Sequence, residues 1–167
     1  QFLMLRLSAC DDPLIGRPFA IYNAVTLNGD QPDAVDIVYL VGGKLTSRLQ
    51  TARPGQQVDV WGPLGNGFRS EPVDHLIMVA GGIGQTPFIA LASEALGLQN
   101  YGDPPRQAGR ARRVTLCYGA RSAEYLAGVD DFQSLGVTTR MSTDDGSAGH
   151  KGLVTEVLEQ VILESSS

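Results

Sequence analysis

Apolar and polar positions alternate from the start of the chain. Leu3, Leu5 and Leu7 share one face and Phe2, Met4 and Arg6 the other, a period-2 pattern that predicts a strand with one strongly apolar face. Phe19–Ala24 and Val35–Val41 are similar short runs rich in β-forming residues, with Asn28-Gly29-Asp30 between them as a turn signal. Thr46–Thr51 predicts one or two helical turns ended by Arg53-Pro54-Gly55, and Gln57–Trp61 predicts a further strand stopped by Gly62-Pro63. Many short strands with Gly/Pro turns predict a small antiparallel barrel over residues 1–70.

The pattern changes after Glu71-Pro72. Leu76–Ala80 is a nearly continuous apolar run, as expected of a strand buried on both faces. Thr86-Pro87 supplies an N-cap and a first-position proline, Phe88, Leu91, Ala92, Ala95 and Leu96 repeat at helical spacing, and Gly97 closes the helix. Val114–Tyr118 predicts a second buried strand, Ala123–Leu135 a helix interrupted by Gly128, and Val137–Ser142 a third strand. Leu153, Val154, Val157, Leu158, Val161 and Ile162 mark a last amphipathic helix. Residues 98–113 read as a polar surface loop. Alternating strands and helices predict a parallel, three-stranded α/β unit over residues 71–167.

The bulk numbers narrow the function classes. A chain of 167 residues suits one large domain or two small ones. With a net charge of −5 it has no electrostatic footprint for nucleic acid, and Arg106, Arg110, Arg112 and Arg113 read as a solvated loop. No apolar run approaches the roughly 20 residues of a membrane span. Cys10 and Cys117 stand in no metal-ligand spacing, which suits two structural thiols in a cytoplasmic protein. Glycine is abundant, 20 residues concentrated at 42–43, 62–67, 81–84 and 146–152, a distribution that suggests backbone-to-ligand contacts.

Several stretches carry candidate chemistry. Ala80-Gly81-Gly82-Ile83-Gly84-Gln85-Thr86-Pro87 joins a buried strand to a helix, where backbone amides hold phosphates. It lacks the G-x-G-x-x-G spacing, and a tight turn that needs only small residues stands beside the ligand reading. Arg17-Pro18-Phe19-Ala20 puts a guanidinium at a strand entry, where it can grip a phosphate or lie on the surface. Gly42-Gly43-Lys44-Leu45-Thr46 offers backbone donors at the start of a short helix. Met141-Ser142-Thr143-Asp144-Asp145-Gly146-Ser147-Ala148-Gly149-His150-Lys151-Gly152 lacks the oxygen-ligand spacing of a calcium loop. Its place after the third strand puts Asp145, Gly146 and Ser147 on the same rim as the 80–87 turn, with a plain turn capped by Asp144 as the alternative. Ser142, His150 and Asp144 lie too close in one loop to read as a triad. His75 reads as a surface or capping residue, and Trp61 and Phe68 as core aromatics or neighbours of a ligand ring.

RPFA at 17–20, GGKLT at 42–46, GPLGNGF at 62–68, AGGIGQTPF at 80–88, YGARS at 118–122 and TDDGSAGHKGLVT at 143–155 occur in one order. Together they resemble the ferredoxin–NADP reductase superfamily, and within it the electron-transfer subunits of dihydroorotate dehydrogenase B. The resemblance covers nearly the whole chain. It implies an antiparallel Greek-key barrel that binds FAD, followed by a parallel-sheet α/β domain that binds NAD(H). It places Arg17 at the FAD pyrophosphate, Pro18, Phe19 and Ala20 along the isoalloxazine, Val38, Tyr39 and Leu40 beside the ribityl chain and ring, and Leu45 and Thr46 at the phosphates. It turns Gly81, Gly82, Gly84 and Thr86 towards the nicotinamide nucleotide and sets Arg121 and Ser122 near its ribose end. An arginine there can receive a 2′-phosphate, whereas the family favours NAD.

The resemblance also implies a role and a partner. Electrons pass from NADH through FAD towards a [2Fe–2S] cluster and a catalytic dihydroorotate dehydrogenase subunit in pyrimidine biosynthesis. The hydride step asks no acid or base of the protein, so no catalytic side chain and no metal ligand is expected. Three features depart from the family pattern. Ala20 replaces a hydroxyl residue, Leu45 replaces a glycine, and the four-cysteine cluster segment has no counterpart, since Cys10 and Cys117 cannot hold a cluster. The first barrel strand and a last α/β strand are likewise expected to lie outside this sequence, which reads as a piece of a longer protein. The related subunits of NADH-dependent ferredoxin:NADP reductases or sulfide dehydrogenases share these motifs, and a non-catalytic nucleotide-binding module is the third reading.

Overall fold

A computed structural model describes the chain except residues 9–12, 29–31, 69–70, 103, 106–109 and 166–167. Cys10, Arg106 and part of the Asn28-Gly29-Asp30 turn therefore lie outside the described residues. The chain divides into two compact units, Gln1–Gly67 and Phe68–Ser167.

The first unit is antiparallel. Strand β1 (Phe2–Leu7) lies between β2 (Arg17–Ala20) and β5 (Val58–Leu64), while β3 (Asn23–Val25) and β4 (Ala34–Asp36) form a separate hairpin. The alternation in β1 holds: Leu3, Leu5 and Leu7 are buried. Leu5 and Leu7 form a core with Phe19 and Leu45, and Ile37, Tyr39 and Leu49 pack against it. On the opposite face Arg6 Nε donates to Asp59 Oδ2 at 2.7 Å, and Ser8 Oγ donates to Asp59 Oδ1 at 2.6 Å. These bonds hold the Asp59 carboxyl below its usual range, that of Ser8 first and that of Arg6 second.

Four expectations for this unit need correction. Phe19–Ala24 is not one strand, because the chain changes partners: Ala20 pairs with Phe2, but Asn23 pairs with Asp36. The run from Val35 is a strand only to Asp36, and beyond it Ile37 and Tyr39 turn onto the core. Strand β5 passes through Gly62-Pro63 to Leu64. Proline is tolerated there because the β1–β5 register shifts between Phe2 and Met4, so no regular ladder bond is lost. The short helix α1 spans Lys44–Leu49, beginning two residues before the predicted Thr46.

The second unit is a parallel sheet in the order β6 (Val73–Gly81), β7 (Ala111–Ala120), β8 (Thr138–Thr143), β9 (His150–Lys151). It has four strands where three were expected; β9 is two residues long, too short for any periodicity to show. Central β7 is buried on both faces, with Leu116, Cys117 and Tyr118 at 0–1% exposure. The helices are α2 (Phe88–Ala95), α3 (Val129–Ser134) and α4 (Val154–Ser165). Val157 and Val161 of α4 pack on Cys117.

The helix starts also differ from expectation. A 3-10 turn, Gly82–Gln85, precedes α2, so Pro87 stands at the cap, and the Thr86 hydroxyl donates to the Ile83 carbonyl at 3.1 Å. Thr86 therefore does not N-cap α2 but closes the 3-10 turn. Ala123–Leu135 breaks into a 3-10 turn, Ala123–Tyr125, and α3, because Gly128 adopts φ 77°. Among the described residues no helix is long and apolar enough to cross a membrane.

His75 is no plain surface residue. Its Nδ1 lies 2.9 Å from Ser165 Oγ and its Nε2 lies 2.8 Å from Thr115 Oγ1. The Ser165 hydroxyl donates to the Val161 carbonyl at 2.7 Å, so it accepts from Nδ1–H, and Nε2 accepts from Thr115. The neutral ring thus ties β6, β7 and the end of α4. Burial, then the charge of Arg113, lowers its pKa from 6.5. The unfolded chain binds that proton more readily, so this stability is full above pH 6.5 and is lost as pH falls through the lower folded value. Melting temperature should therefore drop between pH 7.5 and pH 5 by more in the parent than in His75→Gln; equal drops in thermal melts would refute this.

Candidate cofactor-binding sites

In the first unit a cavity of about 380 Å³ is lined by Arg17, Pro18, Phe19, Leu40, Gly42, Gly43, Lys44, Leu45 and Thr46, with Pro13 at its margin. Two cations thus share one recess, and the guanidinium of Arg17 is exposed. Phe19 reaches into the core, where it meets Tyr39 edge-on at 5.8 Å. Of the residues expected here, Arg17, Pro18, Phe19, Leu40, Leu45 and Thr46 line the recess, while Ala20, Val38 and Tyr39 do not. The sequence reading did not single out Pro13 or Lys44. For Lys44 the signal was present, a cation at the first position of a helix after two glycines.

The GGKLT turn works differently from its sequence reading. The Gly42 and Gly43 amides both donate to Thr46 Oγ1 at 3.0 Å, and that hydroxyl donates to the Gly43 carbonyl. These donors are spent inside the turn. What remains at the recess is the first turn of α1, whose opening amides have no intrahelical acceptor. Leu45 is 3% exposed and turns its side chain into the core with Leu5 and Leu7.

In the second unit the candidate residues come from neighbouring strand ends. Gly81 pairs with Gly119 and Gly119 with Ser142, so the carboxyl ends of β6, β7 and β8 lie in one row. Gly81 ends β6, Gly82, Gly84 and Thr86 follow it, Arg121 follows β7, and Asp145 follows β8. Thr86 is buried, and its hydroxyl is already bonded. The Asp145 carboxylate is also engaged: its Oδ1 accepts the Ser147 amide at 2.9 Å and the Ser147 hydroxyl at 2.6 Å. The Ser147 side chain and amide hold the Asp145 carboxyl below its usual range. Ser122 Oγ donates to Glu124 Oε1 at 3.3 Å. Among the described residues no ion pair of Arg121 or of Arg17 occurs.

The glycines sort into two kinds. A Cβ on Gly119 would meet Val154 Cβ at 2.8 Å and Ser142 Oγ at 3.1 Å, and one on Gly62 would meet Leu3 Cδ2 at 2.9 Å. These are packing glycines. A Cβ on Gly42, Gly43, Gly81 or Gly84 would meet nothing within 4 Å, and none of the four has positive φ. Neither backbone shape nor internal packing requires glycine there. Bare backbone beside open space suits a ligand that approaches the main chain closely.

Among the described residues Ser142, His150 and Asp144 form no triad. Ser142 is fully buried, and His150 Nε2 faces Glu156 Oε2 at 2.8 Å. Burial pushes the Cys117 thiol up, and among the described residues no cluster of three or more His, Cys, Asp and Glu could hold a metal. Trp61 is 44% exposed, and Phe68 tilts against Phe88 at 5.7 Å, so neither is a core aromatic.

Comparison with known proteins places the architecture. No family model matches the chain. The chain superposes on the structure described as an NADH-dependent reduced ferredoxin-NADP oxidoreductase, with TM-score 0.71 and 29% identity over 97% of this chain and 52% of that one. It also matches a ferredoxin reductase in carbazole 1,9a-dioxygenase, with TM-score 0.70 and 18% identity over 99% of this chain and 48% of that one. The chain has a ferredoxin-reductase-like fold, an antiparallel part followed by a parallel sheet. Its sequence relatives within that class are electron transfer subunits of dihydroorotate dehydrogenase B (NAD(+)). The one from Geobacillus kaustophilus is 34% identical over 98% of this chain and 58% of its own length, and that from Desulforamulus reducens 30% over 96% and 55%. The chain is homologous to these subunits and spans a little over half their length.

The two kinds of glycine should respond differently to a methyl group. Gly119→Ala should cost about 1–3 kcal/mol by overpacking against Val154, whereas Gly84→Ala should leave stability unchanged or slightly raised. Denaturant melts check this, and equal losses in both variants would refute the division.

Proposed function

We propose that the first unit binds FAD, that the second binds NADH, and that the chain passes electrons from NADH to the flavin. The observation that carries this reading is the set of bare glycines, Gly42, Gly43, Gly81 and Gly84, each beside open space and each next to a helical turn. The donor set fits such ligands. Arg17 and Lys44 share one recess with the first turn of α1, as a pyrophosphate requires. Arg121 stands at the strand ends where nucleotides bind in open α/β sheets.

When bound, the nicotinamide supplies a hydride and the flavin accepts it. The protein's part is position and electrostatics. Arg17 holds anionic oxygen, Pro18 and Leu40 shape the apolar side of the recess, and the open edge of Gly81–Gly84 lets a phosphate reach the amides of the 3-10 turn. No side chain need move a proton. In the whole protein we place this unit in the cytoplasm, upstream of a [2Fe–2S] cluster and of a dihydroorotate-oxidising catalytic subunit; of these, the electron-transfer name of its relatives supports the catalytic partner. The likeness to the NADH-dependent ferredoxin-NADP oxidoreductase favours a second reading, in which the partner is of that kind. Co-purification with the full-length protein separates the two, because only the first predicts recovery of a dihydroorotate-oxidising subunit.

The purified protein should be yellow, and NADH should bleach it without oxygen. Arg17→Ala should weaken FAD retention about tenfold or more, the worth of a charge-assisted hydrogen bond. A well-folded parent that takes up no flavin absorbance from excess FAD would sink the reading.

A further inference from the structure

Ser147 sits at a junction between two strand-end connections. Its amide and its hydroxyl both donate to Asp145 Oδ1, at 2.9 and 2.6 Å. The hydroxyl has a single proton, and Asp145 takes it. The oxygen is thereby left as an acceptor, and it receives the Ala123 amide, 24 residues away in sequence, at 2.8 Å. Ala123 opens the 3-10 turn after β7, and Ser122 at its cap makes no capping side-chain bond. Two backbone bonds run alongside: Asp144 N to the Ala120 carbonyl at 3.1 Å and Asp145 N to the Arg121 carbonyl at 3.3 Å. The base of the loop is closed separately, since Thr143 Oγ1 donates to the Ala148 carbonyl and accepts the Ala148 amide.

The backbone on both sides of Arg121 is thus fixed from the β8 loop, while its guanidinium has no ion-pair partner among the described residues. Arg121, Ala123, Asp145 and Ser147 are all exposed. Hydrogen bonds between exposed groups add little to global stability, because water replaces them readily. They do restrict the loop, and a ligand then meets a turn that is already ordered.

We propose that Ser147, held by Asp145, is a positioning residue that sets the Arg121–Ser122–Ala123 turn for the nicotinamide nucleotide without touching it. The proposal rests on the reading that the second unit binds NADH. It moves Asp145 from ligand contact to support.

The test uses the full-length protein loaded with FAD. NAD⁺ binding is measured by calorimetry, together with thermal melting, flavin content and steady-state turnover of NADH. Ser147→Ala should raise the Kd for NAD⁺, and the KM for NADH, about three- to tenfold. Maximal rate, melting temperature and flavin content should stay those of the parent, and Ser147→Thr, which keeps the hydroxyl, should bring the Kd back. An unchanged Kd in Ser147→Ala overturns the proposal. So does a variant that loses flavin and melting temperature along with nucleotide, which would make Ser147 a general structural residue. A parent that binds FAD but no NAD⁺ overturns the nucleotide reading itself, and the proposal with it.

Discussion

The parallel hydrogen-bond ladder of β6, β7 and β8 is the constraint on which the second unit's candidate site depends. It aligns Gly81, Gly119 and Ser142 in one row, so three connections separated by dozens of residues leave the sheet at the same level. Everything that could face a nucleotide follows from that row: the 3-10 turn after Gly81, Arg121 after β7, and the Asp145–Ser147 turn after β8. The row has an internal requirement of its own. Gly119 must lack a Cβ because Val154, at the start of α4, occupies the space beside Ser142. One glycine in the row therefore serves packing, while its neighbour Gly81 serves the open side.

The two units leave backbone bare in different ways. After β6 the chain uses glycines with nothing within 4 Å of a would-be Cβ, followed by a 3-10 turn. At α1 two further bare glycines precede the helix, but their amides are consumed by Thr46. That consumption fixes the approach to α1, so the helix's opening amides project from a rigid turn beside Arg17 and Lys44. The same logic explains how a leucine is accommodated at position 45. A side chain at that point of the helix packs into the core of Leu5, Leu7 and Phe19, adding buried apolar surface to a small sheet.

Much of this was legible in the sequence. Leu3, Leu5 and Leu7 announce a one-sided strand by alternation, and Val114–Tyr118 announces a strand buried on both faces by lacking it. The order of the motifs identified the class of fold. What stayed hidden was set by partners that are distant in sequence. The break after Ala20 depends on a switch of pairing from Phe2 to Asp36, β9 depends on β8 lying alongside it, and the bonds of His75 depend on Ser165 and Thr115. Within the candidate sites the same rule holds. Arg17 and the glycines could be named from local grammar, whereas the engagement of Thr46, Thr86 and Asp145 in internal bonds needed the folded chain.

Those internal bonds bear on how such a protein divides labour between side chains and backbone. Hydroxyls and carboxylates placed at a ligand rim look like ligand contacts in sequence, because their chemistry suits both roles. Here Thr46, Ser147 and Asp145 are each engaged in local bonds to neighbouring amides and hydroxyls, which fixes the turns that carry the adjoining main chain and Arg121. A dinucleotide is long, anionic and rich in oxygen, so amides and guanidinium groups are the partners it asks for. A neutral hydroxyl is the better tool for holding a turn. It donates once and accepts at the same atom, and so it can link a carboxylate to an amide on another strand end, as Ser147 does between Asp145 and Ala123. On the proposed reading, the small polar residues of these loops act on the ligand by shaping the backbone that meets it, so their loss should be felt in affinity before it is felt in the fold.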